Sequence, residues 1–193
     1  MKKFANVFSG CGVYYRAEIQ ESVTDMPDVS DTAPTKTLHI VRHGKALQDY
    51  HSIRDYDRPL IEKGIVNSEN AAKQLYAQYP APDLIISSHA VRALHTAHIF
   101  ARVMGYPHNR VQVNEKLYME GEKKILDILK ILPDEIRSVM IVGHNPDLSY
   151  LAYTCAGGQY TDIPTSGVVT VRYETKSWIQ TGSMKNCEIA IHY

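Results

Sequence analysis

The chain has 193 residues, 44% hydrophobic and 22% charged, the composition of one soluble globular domain with an apolar fraction large enough for a sizeable core. Lys plus Arg and Asp plus Glu both number 21, which argues against a general nucleic-acid binder or a protein held to an anionic membrane surface. Three cysteines, Cys11, Cys155 and Cys187, form no C-x-x-C pair, and no run approaches the roughly 18 apolar residues of a membrane span, so a reducing cytoplasm is the expected setting.

At the N-terminus Lys2 and Lys3 precede a short apolar stretch, Phe4 to Phe8, interrupted by Asn6. A secretory core needs about 7–15 apolar residues, so a signal ending at Cys11 is not expected. Glu21 to Lys36 is dense in Ser, Thr, Asp and Pro without apolar periodicity, the composition of a solvated linker. Residues 1–36 are therefore read as an N-terminal extension and linker, and residues 37–193 as the domain.

From Thr37 short apolar runs alternate with longer amphipathic ones, the pattern of an α/β domain. Strands are predicted at Leu38–Arg42, Asp83–Ser87, Arg110–Val113, Val139–Val142, Val168–Tyr173 and Glu188–His192. Helices are predicted at Glu62–Tyr79, Val91–Met104, Glu122–Leu132 and Pro146–Ala156, with Gly105 and Gly157 as C-terminal stops. The succession predicts a three-layer α/β/α sandwich around a mostly parallel sheet. In such sheets ligands sit beyond the carboxyl ends of the strands, which directs attention to the residues after Ile40, Ile86 and Val142.

Those three strand ends carry unusual side chains. The first reads Arg42, His43, Gly44, with a guanidinium suited to phosphate oxygens and a glycine that lets the backbone turn. The second runs through Ser87 and Ser88 into a helix whose first turn holds Arg92, and free N–H groups beside a guanidinium make an anion site. The third reads Gly143, His144, Asn145, Pro146, with the proline placed at the start of the next helix. Two arginines and two histidines thus converge on one edge of the sheet.

The set RHGKA, DRPLIEKG, SSHAVRALHTA and VGHNPDL, spread from Leu38 to Tyr173, resembles the histidine phosphatase superfamily, in particular the short branch that includes the phosphohistidine phosphatase SixA. The resemblance implies a phosphoglycerate mutase-like fold, a nucleophile at His43, and a phosphate pocket formed by Arg42, Arg92 and His144 with Arg58 close by. His89 stands where the family usually has proline, a change in the loop before Arg92 that adds an imidazole at the rim.

The chemistry is sound on physical grounds. A neutral imidazole attacks phosphorus only if its other nitrogen is fixed, usually by a backbone carbonyl, and if the phosphoryl charge is neutralised. Arg42, Arg92 and a protonated His144 are expected to neutralise it, so no metal and no other cofactor is expected. The chain has no P-loop and no acidic cluster, and His95 with His98 share a helical face without a third ligand. For a proton donor the nearest candidate is Glu120, in LYMEGEKK. The expected partner is a phosphohistidine-bearing protein or a small phosphorylated substrate. The alternatives are a small-metabolite or sugar phosphomonoesterase, and a non-catalytic module that binds phosphoprotein.

Overall fold

The computed structural model describes residues 35–48, 52–155, 158, 162–181 and 187–192. Residues 1–34 and Gly157 lie outside the described residues, and with them the extension and one expected helix stop.

Six strands form one sheet: β1 (Thr35–Arg42), β2 (Leu84–Ser87), β3 (Gln112–Val113), β4 (Ser138–Gly143), β5 (Val168–Glu174) and β6 (Cys187–His192), in the order β3-β2-β4-β1-β5-β6. The pairs β2–β3, β2–β4 and β1–β4 are parallel, whereas β5 is antiparallel to both β1 and β6. One reversed strand in six makes the sheet mostly parallel. Four helices flank it: α1 (Glu62–Tyr76), α2 (Val91–Met104), α3 (Glu122–Lys130) and α4 (Asp147–Cys155).

The period-two geometry of the strands divides the core in two. Leu38 and Ile40 of β1, Leu84 and Ile86 of β2, and Val139 and Ile141 of β4 face a cluster that contains Ile125 and Leu129 of α3 and Leu148 and Leu151 of α4. Their neighbours Val41, Ile85, Met140 and Val142 face the opposite cluster, with Ala71 and Leu75 of α1 and Ala93, Ala97 and Phe100 of α2. The central strands are buried on both faces, which is why they read as continuous apolar runs. Two helix layers and one sheet give the α/β/α sandwich expected from the sequence.

Helix α1 buries Gly64, Ser68, Ala71, Ala72 and Leu75, one face at helical spacing. Helix α2 stops at Gly105, whose left-handed φ of 71° suits glycine at the cap. The expected Arg110–Val113 strand shrinks to Gln112–Val113, because His108–Arg110 closes a 3-10 turn. Helix α4 begins one residue after Pro146, and the Asn145–Pro146 bond is cis.

The start of the domain is a correction. β1 begins at Thr35, two residues before the expected Thr37, and Lys36 is not linker. Its side chain is 2% exposed, with Nζ donating to the carbonyls of Asp134 at 2.6 Å and Ile136 at 2.9 Å. The lysine satisfies backbone acceptors at the foot of the sheet, and that role has no signature in composition.

Candidate active site

The carboxyl ends of β1, β2 and β4 lie side by side, with Arg42 in register with Gly143 and Ser87 with Val142. Beyond them His43 N–H donates to the Gly143 carbonyl at 3.0 Å and Ser88 N–H to the Val142 carbonyl at 2.9 Å, so the chain leaves each strand in a defined direction. Gly44 then passes so close to α1 that a Cβ there would stand 2.7 Å from the Gly64 carbonyl oxygen and from Ser68 Oγ. Thr96 of α2 accepts from Gly44 N–H at 3.0 Å and donates to the Arg92 carbonyl at 2.7 Å, pinning this loop to α2.

His43 Nδ1 lies 2.7 Å from the carbonyl of Gly44. A carbonyl only accepts, so Nδ1 carries the proton and Nε2 presents a lone pair. Arg92 Nε–H points at that lone pair from 3.3 Å. Burial, together with the nearby guanidinium groups of Arg92, Arg42 and Arg58 and against the Gly44 hydrogen bond, pushes the His43 pKa down to about 4. The ring is therefore neutral at pH 7.

His144 is 2% exposed, its ring centroid 4.9 Å from that of His43. Nε2 lies 3.0 Å from Ser88 Oγ, which itself accepts from Ala90 N–H at 3.3 Å. Nδ1 is buried without a hydrogen-bond partner among the described residues. Burial, then the proximity of His43 and Arg92, lowers its pKa to about 2. Bringing a further positive charge into a buried cluster that already holds two arginines disfavours the protonated ring.

Arg42 Nη1 donates to the Ile163 carbonyl at 2.6 Å, and Asn145 Nδ2 donates to the same carbonyl at 3.0 Å. Arg42 Nε is buried without a partner among the described residues. An unpaired buried donor costs about 1–3 kcal/mol, a penalty that a bound oxyanion removes.

A residue outside the sequence-predicted set holds the centre of the cluster. Asp55 lies in a 3-10 turn, Asp55–Asp57, between β1 and α1. Its Oδ2 accepts from Arg92 Nη2 at 2.8 Å and from the Tyr118 hydroxyl at 2.6 Å, while its backbone carbonyl accepts from Arg92 Nη1. Its Oδ1 accepts from Arg58 Nε at 2.9 Å and Nη2 at 2.6 Å. Burial pushes this carboxyl up, but the hydrogen bonds from Tyr118, Arg58 and Arg92 outweigh it and hold Asp55 well below the usual carboxylate range. Arg58, expected near the phosphate, spends Nε and Nη2 on Asp55 and Nη1 on the Leu47 carbonyl at 2.8 Å.

Arg42, His43, Arg92 and His144 are thus brought together, and Arg58 joins them through Asp55. Glu120 is exposed and, among the described residues, makes no hydrogen bond or ion pair with this cluster. His89 packs between Tyr56 and Tyr118, with ring centroids 6.1 Å and 5.0 Å away. His98 pairs with His108 at 3.1 Å, away from the cluster, and among the described residues no group of three or more His, Cys, Asp or Glu side chains is arranged to hold a metal ion. The signal that could have found Asp55 was an acid three residues before Arg58, a spacing at which the two pair across one helical turn. Tyr118 had no such signal.

Residues 38–118 match the model of the histidine phosphatase superfamily, branch 1. An uncharacterized protein of Mycobacterium tuberculosis, Rv1276c, is 30% identical over 143 residues, 68% of this chain and 86% of that one. The structure of the protein histidine phosphatase SixA complexed with tungstate aligns at a TM-score of 0.63 and 26% identity, covering 70% of this chain and 86% of that one. The mycobacterial glucosyl-3-phosphoglycerate phosphatase Rv2419c shares the fold at a TM-score of 0.58 and 14% identity, over 81% of this chain and 98% of that one. The chain belongs to the histidine phosphatase superfamily. Within it the chain is SixA-like, and the activity this supports is that of a phosphatase.

Proposed function

We propose that the chain hydrolyses phosphohistidine on a protein partner through a phosphohistidine formed on His43. The observation that carries this reading is the 2.7 Å hydrogen bond from His43 Nδ1–H to the Gly44 carbonyl, which leaves Nε2 as the nucleophile beside Arg92. As Nε2 forms its bond to phosphorus, the phosphorus–nitrogen bond of the substrate breaks and the departing imidazole takes a proton from solvent. The His43 ring becomes cationic, and the Gly44 carbonyl on Nδ1–H stabilises that charge. Arg92 Nε–H holds the phosphoryl oxygens, with Arg42 Nε and His144 Nδ1, both buried without a partner among the described residues, as further groups to meet them. Water then attacks phosphorus, the bond to His43 breaks, its electron pair returns to Nε2, and phosphate leaves.

The preference for a phosphorus–nitrogen bond is supported by the state of the acids. An alkyl ester needs its leaving oxygen protonated, yet the carboxylate in the cluster, Asp55, is held ionised by its hydrogen bonds from Tyr118, Arg58 and Arg92. An imidazole, with a pKa of about 6.5, takes its proton from solvent near neutral pH and leaves as the neutral ring without a carboxylic acid in the site. Transfer between two imidazoles is also nearly balanced in energy, so positioning and electrostatics suffice. The similarity to the SixA structure supports the same substrate class. A cytoplasmic setting belongs to this reading.

The test is a comparison of kcat/KM for a phosphohistidine protein, an aryl phosphate and a panel of sugar phosphates in one buffer. The phosphohistidine protein should lead. A sugar phosphate ahead by tenfold would transfer the assignment to a metabolite phosphatase, and binding without turnover of any of them would make the chain a recognition module.

A further inference from the structure

We infer that Asp55 is a positioning residue that turns Arg92 so that its Nε edge faces the reacting phosphoryl group. The inference rests on the reading of His43 as nucleophile and assigns to Asp55 the orientation of its partner.

A guanidinium is a rigid plane with five N–H donors, and its direction of attack on an oxyanion depends on which of them are already engaged. In Arg92 the two terminal nitrogens are both gripped by one residue: Nη1 by the Asp55 carbonyl oxygen and Nη2 by Asp55 Oδ2. Two contacts from a single residue to the two ends of the fork fix its plane as well as its place. What remains is the Nε side, and Nε–H is directed at His43 Nε2, 3.3 Å away. A phosphoryl group arriving on Nε2 therefore meets Nε–H and the neighbouring Nη2–H without a rotation of the guanidinium.

The same carboxylate would weaken Arg92 as an electrostatic partner if it cancelled the positive charge. Its own surroundings prevent this. Arg58 covers Oδ1 through two nitrogens, and Tyr118 donates to Oδ2. Two guanidinium groups share one carboxylate, so the trio carries a net positive charge. Arg58, with 10% of its side chain exposed, and Arg92, with 4%, are both less accessible than Asp55, at 43%, so the clamp closes over Arg92 from the solvent side. Tyr118 reaches the same oxygen while its ring packs edge-on against His144 at a centroid distance of 5.2 Å. Asp55, in the loop after β1, thus ties together the start of α2 and Tyr118, which follows the Glu115–Leu117 3-10 turn.

The experiment is a double-mutant cycle on the full chain with an aryl phosphate as substrate, combining Asp55→Asn and Asp55→Ala with Arg92→Lys. Wild-type turnover is measured first, and its absence would count against the nucleophile reading rather than against Asp55. Given turnover, Asp55→Asn should lower kcat by about 10- to 100-fold, leave KM within about threefold and keep the melting temperature. In the Arg92→Lys background the same change should cost less than about twofold, because the group it orients is gone. Full additivity in the cycle would show that Asp55 acts independently of Arg92 and would overturn the inference. So would a fall in KM with tighter tungstate binding, which would make Asp55 a competitor for the anion site. Asp55→Ala keeps the backbone carbonyl on Nη1 and should reproduce the loss in kcat, so the result does not depend on how one variant folds.

Discussion

Arg92 Nε stands 3.3 Å from His43 Nε2, so a guanidinium and the proposed nucleophile share one hydrogen bond. Helix α2 begins at Val91, separated by three residues from the end of β2 at Ser87, and the loop after β1 is pinned to Thr96, which sets the two side chains against each other. The proximity is also electrostatic, since Arg92 helps to keep His43 unprotonated.

For this reason Arg92→Ala should cost at least about a hundredfold in kcat/KM, the scale of losing one preorganised charge-stabilising donor. Arg92→Lys should behave more like Ala than like the wild type. A lysine carries the charge but cannot be held at two nitrogens while a third faces phosphorus. Steady-state kinetics on an aryl phosphate measures both, and recovery by lysine to within threefold of wild type would show that charge alone matters.

The covalent step makes its own prediction. His43→Ala should abolish turnover while tungstate binding partly survives, since Arg42, Arg92 and His144 remain. Rapid acid-free quenching of the wild type with substrate, followed by mass spectrometry, should place an acid-labile phosphate on His43. A label on Ser88 or no label at all would rule out the phosphohistidine intermediate. Addition of EDTA should leave the rate unchanged.

The elements that sequence patterning located well are those with strong local signals. The predicted bounds of α2, Val91–Met104, coincide with the observed ones, because an apolar stripe ends at a glycine in the left-handed cap. Arg42, His43, Arg92 and His144 were legible for a related reason: each sits where a strand stops or a helix starts, and an α/β sheet gathers such points along one edge. Asp55 and Tyr118 were not, since each belongs to or follows a short 3-10 turn; the i,i+3 spacing to Arg58 marks Asp55 as an ion-pair partner, but its contact with Arg92 and the position of Tyr118 depend on packing between distant segments. The lowered pKa of His144 was hidden too, because it depends on burial and on His43 and Arg92 together.

Those shifts set a pH dependence of stability. His43 and His144 have pKa values in the folded protein of about 4 and about 2, below the ordinary 6.5. Above pH 6.5 both are neutral folded or unfolded, and neither affects the balance. As the pH falls below 6.5 the unfolded chain takes up protons that the folded site refuses, so stability is lost, by up to about 1.4 kcal/mol per pH unit for each group. The loss from His43 should level off near pH 4 and that from His144 should continue below it. Denaturant melts between pH 7 and 4 should show this slope, and it should become shallower in His144→Gln. A slope unchanged by that substitution would mean that His144 is not excluded from protonation. Bound tungstate, by bringing negative charge beside His144, should also flatten the curve.

The last prediction concerns the foot of the sheet. Lys36 is at the opposite end of β1 from His43, seven residues or about 23 Å away at strand rise, so it can be altered without touching the chemistry. Its ammonium group donates to the carbonyls of Asp134 and Ile136 and lies 5.5 Å from the ring centre of the buried Trp178. Trp178 itself donates Nε1–H to the same Ile136 carbonyl at 2.7 Å. Lys36→Met keeps the length of the side chain and removes the donors. The Asp134 carbonyl loses its partner in the lysine, whereas that of Ile136 keeps the indole. A loss of about 1–3 kcal/mol follows, or roughly 3–9 °C in Tm for a domain of this size, with kcat/KM unchanged. The same residue sets where the chain can be shortened. A protein beginning at Thr35 should melt within about 2 °C of the full chain, because the composition of the preceding residues promises few buried contacts. One beginning at Thr37 should lose stability comparable to Lys36→Met. Equal melting temperatures for the two truncations would show that Lys36 contributes nothing, and a large drop on beginning at Thr35 would place the first 34 residues in the folded core.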